Sequence, residues 1–518
     1  MATRINLTLS PEAAADQNEI RQKAARQLRC NPGDITSLII TRKSIDARKP
    51  AIVFNIEAEV CIGNEISEFS PCRFSERDVS RAKEILIAGS GPAGLFAALS
   101  LIEQGLRPVI LERGKDVSSR KRDLALISRQ HVVDPDSNYC FGEGGAGTYS
   151  DGKLYTRSKK RGENRRVLEL LHHFGAGEEI LYEAHPHIGT DRLPGIIRNI
   201  REKIIECGGE VVLNTRITGL LLDGRKIAGV EAAGQKFMSD TLILATGHSA
   251  RDIYGLLEQH SATMEFKPFA MGVRVEHPQE LIDRIQYHGM SRGPYLPPAS
   301  YTLSRQVQGR GVFSFCMCPG GFIVPSATAG EEVVVNGMSP ARRNSVWANS
   351  GIVTEIRSGD IAAYKRYGPL AGLKLQEYFE KLAWEQGGRR QTAPAQRLTD
   401  FIAGRPSASL PRSSYSPGIV SSPLHEWLPE QVLSALKEGF RAFGRMMKGY
   451  LTNEAVIVGA ESRSSSPLRI PRDPETLQHT DIAGLYPCGE GSGYAGGIVS
   501  SAIDGMRVAE IVSAKFSG

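Results

Sequence analysis

Apolar and polar positions in the first eighty residues follow the periods of strands and of one helix. Residues 4–9 (RINLTL) alternate apolar and polar side chains, which is typical of a half-buried strand. Residues 12–28 predict a helix, and the apolar runs SLIITRKS and AIVFNIEAEVCI predict two further strands. The pattern therefore predicts a small N-terminal α/β domain over residues 1–80, which we interpret as a packing or docking module.

The next segment, EILIAGSGPAGLFAALSLIEQGLRPVILERG, has the periodicity of a strand, a helix and a second strand. Residues 85–88 form an apolar run that is typical of a buried parallel strand. Residues 92–104 have helical spacing and stop at Gly105, and residues 108–111 are apolar again. This order predicts a βαβ unit, from which nucleotide-binding folds are built.

The turn before the predicted helix carries the spacing G-x-G-x-x-G at Gly89, Gly91 and Gly94. In a βαβ unit, the first glycine permits a tight turn, the second lets the backbone approach a pyrophosphate, and the third lets the helix pack against the strand. The helix N-terminus then directs N–H groups at the phosphates. Glu112, at the end of the second strand, is placed to accept hydrogen bonds from ribose hydroxyls. A dinucleotide site is the prediction, with packing glycines as the alternative.

The same glycine spacing occurs twice more, at 142–147 and at 491–496. The later copy follows an apolar run and opens a helix near Ile498, so it predicts a second phosphate-facing helix start without a complete second nucleotide fold. The earlier copy follows NYCF, which is too short and polar to be a buried strand. It predicts a glycine loop whose backbone lies against a cofactor, with a cluster of structural turns as the alternative.

Between residues 266 and 451 the chain changes to strand patterns such as FAMGVRVEH and EVVVNGM, together with two helical patterns. The apolar positions of the second helix predict a core face rather than a cofactor site: Val432, Leu436, Phe440, Phe443 and Met447. Because nucleotide-binding motifs flank this segment, we expect a nucleotide-binding domain in two parts, 81–265 and 452–518, with an inserted substrate or cap domain over 266–451.

Composition and charge narrow the class of protein. The chain has 518 residues, with 41% hydrophobic and 23% charged, as in ordinary globular proteins. It has no apolar run of membrane-spanning length, and its start lacks a signal-peptide pattern, which predicts a cytoplasmic protein without a membrane partner. The net charge of +6 is spread along the chain, and the densest basic run, 157–166, also contains Glu163. This favours a solvated face, or the attraction of an anionic small molecule, over nucleic-acid binding.

The cysteines are dispersed and include no C-x-x-C pair, so neither a disulfide framework nor a metal site is indicated. Cys316 and Cys318 stand two positions apart in a strand-like run, FCMCPGG. Alternate strand positions point to opposite faces, so we expect the two sulfurs to diverge and the pair not to form a redox disulfide.

Several motifs carry a family resemblance. In chain order, GSGPAGL with ERG, then LATG, then YPCGEGSGYAGG resemble the FAD-binding domain of glutathione-reductase-like flavoproteins. FGEGGAGTYSDGKL, FCMCPGGFIVPS, NGMS followed by ANSG, and ESRSSSPLRIPRD are similar to a group of bacterial FAD-dependent dehydrogenases or oxidoreductases, over nearly the whole chain. The motifs specify FAD and the family, and not the substrate or the electron partner.

The resemblance implies an α/β fold in which a discontinuous Rossmann-like FAD-binding domain carries an inserted α+β substrate or cap domain. It implies an oxidoreductase that moves a hydride between a small substrate and flavin N5, with an FAD-binding sensor or docking flavoprotein as the alternative. Glu490 stands where family members carry Asp, the acid that would bind the ribityl chain. The FAD contacts predicted from the motifs and the resemblance are Gly89, Gly91, Pro92, Ala93, Gly94, Glu112, Arg113, Gly144, Gly145, Ala146, Gly147, Asp151, Gly152, Ile217, Thr246, Gly247, Gly489, Glu490, Gly496, Gly497 and Ile498.

Arg463, in the segment GAESRSSSPLRI, is the candidate catalytic residue. The segment lies between the inserted domain and the last glycine loop, so the guanidinium is predicted to clamp a substrate carboxylate or to stabilise negative charge as hydride leaves or arrives. The alternative is an ion pair with Glu461 or another acid. Arg274, His277 and the stretch 342–350 are weaker candidates for the same pocket.

A second nucleotide is not expected to bind tightly. Reductases that use both FAD and NAD(P)H in this superfamily carry a second complete βαβ motif, and we find one such motif in the sequence. Isothermal titration of the purified protein with NADH and NADPH should therefore show no micromolar binding. A micromolar dissociation constant would contradict this prediction.

Overall fold

The structure is a computed structural model and describes residues 2–63, 73–155 and 164–516. Cys72 and most of the basic run at 157–166 lie outside the described residues. The strands, in chain order, are β1 (Thr3–Leu9), β2 (Ile35–Asp46), β3 (Val53–Ile62), β4 (Glu84–Ala88), β5 (Arg107–Leu111), β6 (Glu210–Val212), β7 (Ile217–Asp223), β8 (Lys226–Ala232), β9 (Gln235–Met238), β10 (Leu242–Leu244), β11 (Glu265–Phe266), β12 (Phe269–Pro278), β13 (Ser304–Val307), β14 (Arg310–Cys318), β15 (Phe322–Pro325), β16 (Val335–Met338), β17 (Trp347–Ile356), β18 (Ala393–Arg397), β19 (Ile419–Ser421), β20 (Val456–Glu461), β21 (Leu468–Arg469) and β22 (Leu485–Pro487).

The α-helices connect these strands and cover the faces of the sheets. They are α1 (Gln17–Leu28), α2 (Pro92–Glu103), α3 (Val117–Gln130), α4 (Asn164–His173), α5 (Leu193–Glu206), α6 (Arg251–Gln259), α7 (Gln279–Gln286), α8 (Ala371–Gln386), α9 (Leu398–Ala403), α10 (Leu424–Trp427), α11 (Glu430–Met446) and α12 (Ile498–Ala514). Among the helices within the described ranges, none is long and apolar enough to cross a bilayer.

The N-terminal unit is the predicted small α/β domain. Its three strands form an antiparallel sheet in the order β1-β3-β2, and α1 packs on one face of it. The alternation seen in the sequence has the expected result, since Ile5, Leu7 and Leu9 are buried while the residues between them face solvent. Lys43 of β2 exchanges backbone hydrogen bonds with the segment at 182–184, which fastens the unit to the rest of the chain.

The βαβ prediction is confirmed by a five-stranded parallel sheet in the order β22-β10-β4-β5-β6. Helix α2 follows β4 and is buried along almost its whole length, and α12 packs beside it. The carboxyl ends of β4, β10 and β22 meet at one edge, and a glycine loop follows each of these strands. In sheets of this type the ligand lies outside that edge.

The second large layer is a seven-stranded sheet in the order β13-β14-β17-β12-β20-β18-β19. Helices α8 and α11 pack on it, and the apolar face predicted for α11 lies in its core. One boundary needs correction, because β20 pairs with β12 and β18 in this sheet. The inserted layer therefore extends through Glu461, and the prediction that the nucleotide-binding domain resumes at residue 452 is wrong. Strands β7, β8 and β9 form a separate antiparallel sheet, and β15 with β16 and β11 with β21 form two-stranded ladders.

Candidate functional site

A cavity of about 400 Å³ lies where the glycine loops of the parallel sheet meet β14 and β16 of the second layer. Most of the predicted FAD contacts line it, although the sequence places them in segments hundreds of residues apart. These are Gly89, Gly91, Pro92, Ala93, Glu112, Arg113, Gly145, Ala146, Gly147, Asp151, Gly152, Ile217, Thr246, Gly247, Glu490, Gly496, Gly497 and Ile498. The topology therefore brings the three glycine-rich stretches to one site.

Three predicted contacts lie behind the cavity wall and are structural. A Cβ on Gly94 would come within 1.9 Å of the Gly89 carbonyl oxygen, so this glycine lets α2 pack on the turn. A Cβ on Gly144 would come within 2.0 Å of Thr148 Oγ1. The Gly489 N–H donates to Asp504 at 2.8 Å. These glycines shape the loops and do not line the cavity.

Three of the glycines that line the cavity leave room for a cofactor: Gly91, Gly496 and Gly497. Gly91 is the N-cap of α2, its φ of −71° suits any residue, and a Cβ there would meet no atom within 4 Å. Gly496 and Gly497 are equally open. Among the residues that the structure describes, no side chain caps the start of α2, so its N–H groups can bind a phosphate. A glycine cradle whose missing Cβ atoms would fill the cavity fits the pyrophosphate of FAD.

The loop at 142–147 does not form a nucleotide fold, as predicted. It contains a short 3-10 turn at Gly145–Gly147, and no strand precedes it within the described residues 73–155 after β5. A Cβ on Gly145 would lie 3.2 Å from the Gly91 Cα, so the loop packs directly against the first glycine turn. That it contacts FAD stays a prediction.

Glu112 is buried at the end of β5, where the sequence places it. Its Oε2 accepts hydrogen bonds from the Ser90 N–H at 2.9 Å and the Ser90 hydroxyl at 2.8 Å. Its Oε1 accepts from the N–H groups of Gly114 and Gly142, both at 3.0 Å. All four lone-pair directions of the carboxylate are occupied by the chain, so Glu112 joins two glycine loops. A ribose hydroxyl that binds Glu112, as predicted, must therefore share the carboxylate oxygens with these N–H and O–H groups of the chain.

Two further predicted contacts already have ionic partners. Arg113 donates to Asp136 at 2.7 Å and to Asp252 at 3.0 Å. Asp151 is buried and accepts from Arg343 at 2.8 Å. The charges along this wall are therefore fixed in place before a ligand binds, which is the preorganisation that cofactor sites need.

Arg463 lines the cavity, but its guanidinium is fully engaged. Nε and Nη2 donate to Glu380 at 3.1 and 2.8 Å, and Nη2 donates to Glu332 at 2.7 Å. Nη1 donates to Thr328 at 2.9 Å and to Ser249 at 3.4 Å. All five N–H donors of an arginine are thereby used. The geometry favours the ion-pair alternative over the substrate clamp, although the acids are Glu332 and Glu380 and not Glu461.

The weaker candidates do not line the cavity. Arg274 is buried and pairs with Glu461 at 2.8 Å. His277 is buried against Tyr450, whose carbonyl lies 2.9 Å from Nε2, and burial lowers the pKa of His277 to about 4. Arg343, from the stretch 342–350, pairs with Asp151 at 2.8 Å. These residues support the wall and the core.

An ionisable pair faces the cavity from the last two glycine loops. His248 Nδ1 lies 3.5 Å from Glu490 Oε1. Burial raises the pKa of Glu490 to about 7, against the opposing effect of Lys267. Burial, with the charges of Arg463 and Arg251, lowers the pKa of His248 to about 4. Near neutral pH, Glu490 is therefore the member of the pair that gains or loses a proton, while His248 stays neutral. Such a group suits acid–base chemistry.

The expected divergence of the Cys316 and Cys318 sulfurs is wrong. The two Sγ atoms lie 4.0 Å apart. The pairing of β14 with β17 shifts between Phe315 and Cys318, and Cys316 has a φ of 46°. A β-bulge interrupts the alternation of side chains on which the prediction relied.

Sequence reasoning missed His248 and Lys153, which line the cavity. His248 directly follows Gly247, and Lys153 directly follows Gly152. Both glycines are predicted to touch FAD, so a position next to such a glycine is the sequence feature that marks these two residues as candidates. Phe315 and Asn336 also line the cavity, from strands without any nucleotide motif. Within the described ranges, no group of three or more His, Cys, Asp or Glu side chains could hold a metal ion.

The chain is similar to known protein families and to proteins of known sequence. Residues 268–464 match the family described as "FAD-dependent protein, C-terminal domain-like", and residues 1–61 match "Domain of unknown function (DUF8436)". An uncharacterized protein of Clostridium beijerinckii is 39% identical over 535 residues, covering 100% of this chain and 99% of the relative. The chain belongs to this family of FAD-dependent proteins. Its cofactor is FAD, as the sequence predicts; the glutathione-reductase-like subtype stays a prediction.

Other similarities are more distant. The protein FixC of Escherichia coli is 25% identical over 219 residues, which is 40% of this chain and 46% of FixC. Among solved structures, L-proline dehydrogenase from P. horikoshii is 13% identical, with 84% of this chain and 94% of that chain covered and a TM-score of 0.33. Glycine oxidase from Bacillus cereus is 12% identical, with 84% and 98% covered and a TM-score of 0.31. At such scores these structures carry no argument about activity.

Proposed function

We propose that this FAD-dependent protein is an oxidoreductase that acts on a small molecule. Bound FAD would supply hydride transfer at flavin N5. The glycine loops after β4, β10 and β22 would hold the cofactor, and β14 with β16 would close the site on the substrate side. The net charge of +6 favours an anionic substrate.

One observation carries the proposal: the cavity is shared by the FAD loops and by ionisable groups of the second layer and the loops. Glu490, His248, Lys153 and Cys316 all line it. A protein that held FAD only for sensing or docking would not need groups with shifted pKa values beside the cofactor, since such groups are typical of catalytic sites. Glu490 is the group best suited to hold or release the proton that accompanies hydride transfer.

Photoreduction of the bound flavin, followed by a screen of electron acceptors, tests the proposal. The alternative, a sensor or docking flavoprotein, predicts that every acceptor reoxidises the protein slowly and without saturation. The oxidoreductase predicts that one class of small acceptor reoxidises the flavin much faster than dioxygen does, with saturation. Uniformly slow, unsaturable reoxidation would contradict the proposal.

Glu490→Gln should remove a titration near neutral pH. In the wild type, the rate of saturable flavin reoxidation should follow an apparent pKa near 7, changing up to tenfold per pH unit on one limb. Glutamine cannot titrate, so the variant should have a flat profile over that range and a lower maximal rate. Stopped-flow absorbance of the flavin gives both profiles.

Folding stability of the FAD-free protein provides an independent check. A buried carboxyl with a raised pKa favours the protonated folded state, so its contribution is present below the ordinary pKa of 4.5 and is lost as pH rises through about 7. The wild type should therefore lose thermal stability relative to Glu490→Gln between pH 5 and pH 8. Glu438→Gln, on the exposed side of α11, is the control and should show no such difference. Identical curves for wild type and Glu490→Gln would be the contrary result.

A further inference from the structure

Cys316 and Cys318 occupy a bulge of β14 beside the FAD cavity. Phe315 pairs with Gly351 and Cys318 pairs with Asn349, so three steps along β14 span two steps along β17. The extra residue places Cys316 in the left-handed region and turns both sulfurs to one side, 4.0 Å apart. A disulfide bond is about 2.05 Å long, so side-chain rotations of the two residues have to close about 2 Å.

A cation from the glycine-loop side of the cavity lies equally far from the two sulfurs. Lys153 follows the glycine loop, and its Nζ is 3.8 Å from the Sγ of Cys316 and 3.8 Å from the Sγ of Cys318. The ammonium also donates to the Met317 carbonyl and lies 3.6 Å from Asp151. A lysine at this distance stabilises a thiolate, which is the reactive form of cysteine.

The two thiols are not equivalent. Cys316 lines the cavity, whereas Cys318 is buried behind it, with its Sγ 3.3 Å from the Cys316 carbonyl oxygen. A hydrogen bond from Cys318, together with the charges of Lys153 and Arg274, holds the pKa of Cys316 well below its usual range. The hydrogen bond to Cys316 and burial raise the pKa of Cys318. The charged groups that face the pair are Lys153, Arg274, Asp151 and Glu461.

We propose that Cys316 and Cys318 form a redox-active dithiol that closes to a disulfide and exchanges an electron pair with FAD in the adjoining cavity. In the forward direction the Cys316 thiolate and the Cys318 thiol form the S–S bond. They give up two electrons and the Cys318 proton, and FAD accepts the electron pair and that proton. The reverse step opens the disulfide to one thiolate and one thiol. The inference goes beyond the proposed function, because the thiol pair can be titrated whether or not a substrate turns over.

Peptide mass measurement tests the disulfide directly in the full-length holoprotein. Trypsin releases residues 311–342 as one peptide that contains Cys316 and Cys318 and no other cysteine. After equilibration with mixtures of reduced and oxidised dithiothreitol, then alkylation, the peptide should pass from two alkylated thiols to none with the loss of two hydrogens. Cys316→Ser and Cys318→Ser should each keep one alkylatable thiol at every mixture. Two alkylatable thiols in the wild type throughout would overturn the proposal.

Cys140→Ser is the matched control, since Cys140 also lines the cavity but donates to the Ser326 carbonyl. This variant should titrate like the wild type, and loss of protection in it would show that Cys140 is the true partner and refute the pair. Anaerobic dithionite titration gives the flavin readout. The oxidised wild type should take up two electron pairs per chain and Cys318→Ser only one. A single pair in both would refute exchange with FAD.

The role of Lys153 is tested by the pH dependence of Cys316 alkylation in the reduced protein. Lys153→Met should slow iodoacetamide modification of Cys316 about tenfold at neutral pH, because the thiolate loses its cation. Lys153→Arg keeps the charge and should retain most of the rate, which separates the electrostatic effect from damage to the fold. Equal rates in all three proteins would show that Lys153 does not stabilise the Cys316 thiolate.

Discussion

Gly91→Val should purify colourless and should melt at the same temperature as the FAD-free wild type. The valine side chain would extend into the cavity, where the missing Cβ of Gly91 leaves open space, and the φ of −71° imposes no strain on it. A tenfold loss of affinity corresponds to about 1.4 kcal/mol, and a side chain placed against the pyrophosphate should cost several times that amount. Flavin absorbance per chain and a thermal melt measure both effects.

Gly94→Ala is the matched control for Gly91→Val. Its methyl group would meet the Gly89 carbonyl oxygen at 1.9 Å, within the protein and away from the cavity. This variant should lower the melting temperature even without FAD. Full FAD occupancy in Gly91→Val, or equal destabilisation by the two substitutions, would show that the first glycine turn does not hold the cofactor.

Arg463→Met should destabilise the fold by about 3–5 kcal/mol, because it removes one of the two arginines, Arg251 and Arg463, that pair with two buried carboxylates. Glu380 is fully buried and Glu332 nearly so. The charges of Arg251 and Arg463 outweigh burial and hold the pKa of Glu380 below its usual range. The stabilisation is therefore present above the ordinary pKa of a glutamate and falls as pH decreases. Urea unfolding at neutral and acid pH measures it.

Arg441→Met is the control, since Arg441 pairs with Glu438 on the exposed face of α11 and should contribute under about 1 kcal/mol. Arg463→Lys separates the two hypotheses for this residue. An ammonium cannot replace five planar donors, so we expect it to lose stability as well. Normal stability and FAD content, with loss of substrate-dependent flavin reduction alone, would instead restore the substrate clamp.

The parts of the site that the sequence predicts are those coded by short, contiguous patterns. The βαβ unit and the start of α12 at Ile498 follow from apolar runs next to glycines, because turn chemistry and burial act over a few residues. The glycine loops after β4, β10 and β22 then come together because these parallel strands end at one edge of the sheet.

The remaining features depend on contacts between distant parts of the chain. Glu332 and Glu380 reach Arg463 from more than eighty residues away, and nothing local to Arg463 marks them as its partners. The bulge at Cys316 arises from the pairing of β14 with β17, which the alternation within FCMC does not reveal. The predicted domain boundary at residue 452 fails for the same reason. Strand β20 belongs to the second layer because it pairs with β12 and β18, and its own sequence does not show these partners.

The crystal structure of the FAD complex tests the central claim most directly. We expect the pyrophosphate at the N-terminus of α2 beside Gly91, and the flavin end of the cofactor in the part of the cavity lined by Cys316 and Asn336, with space left for a small molecule. FAD bound outside this cavity, or a flavin fully enclosed with no space beside it, would contradict an oxidoreductase site at this position.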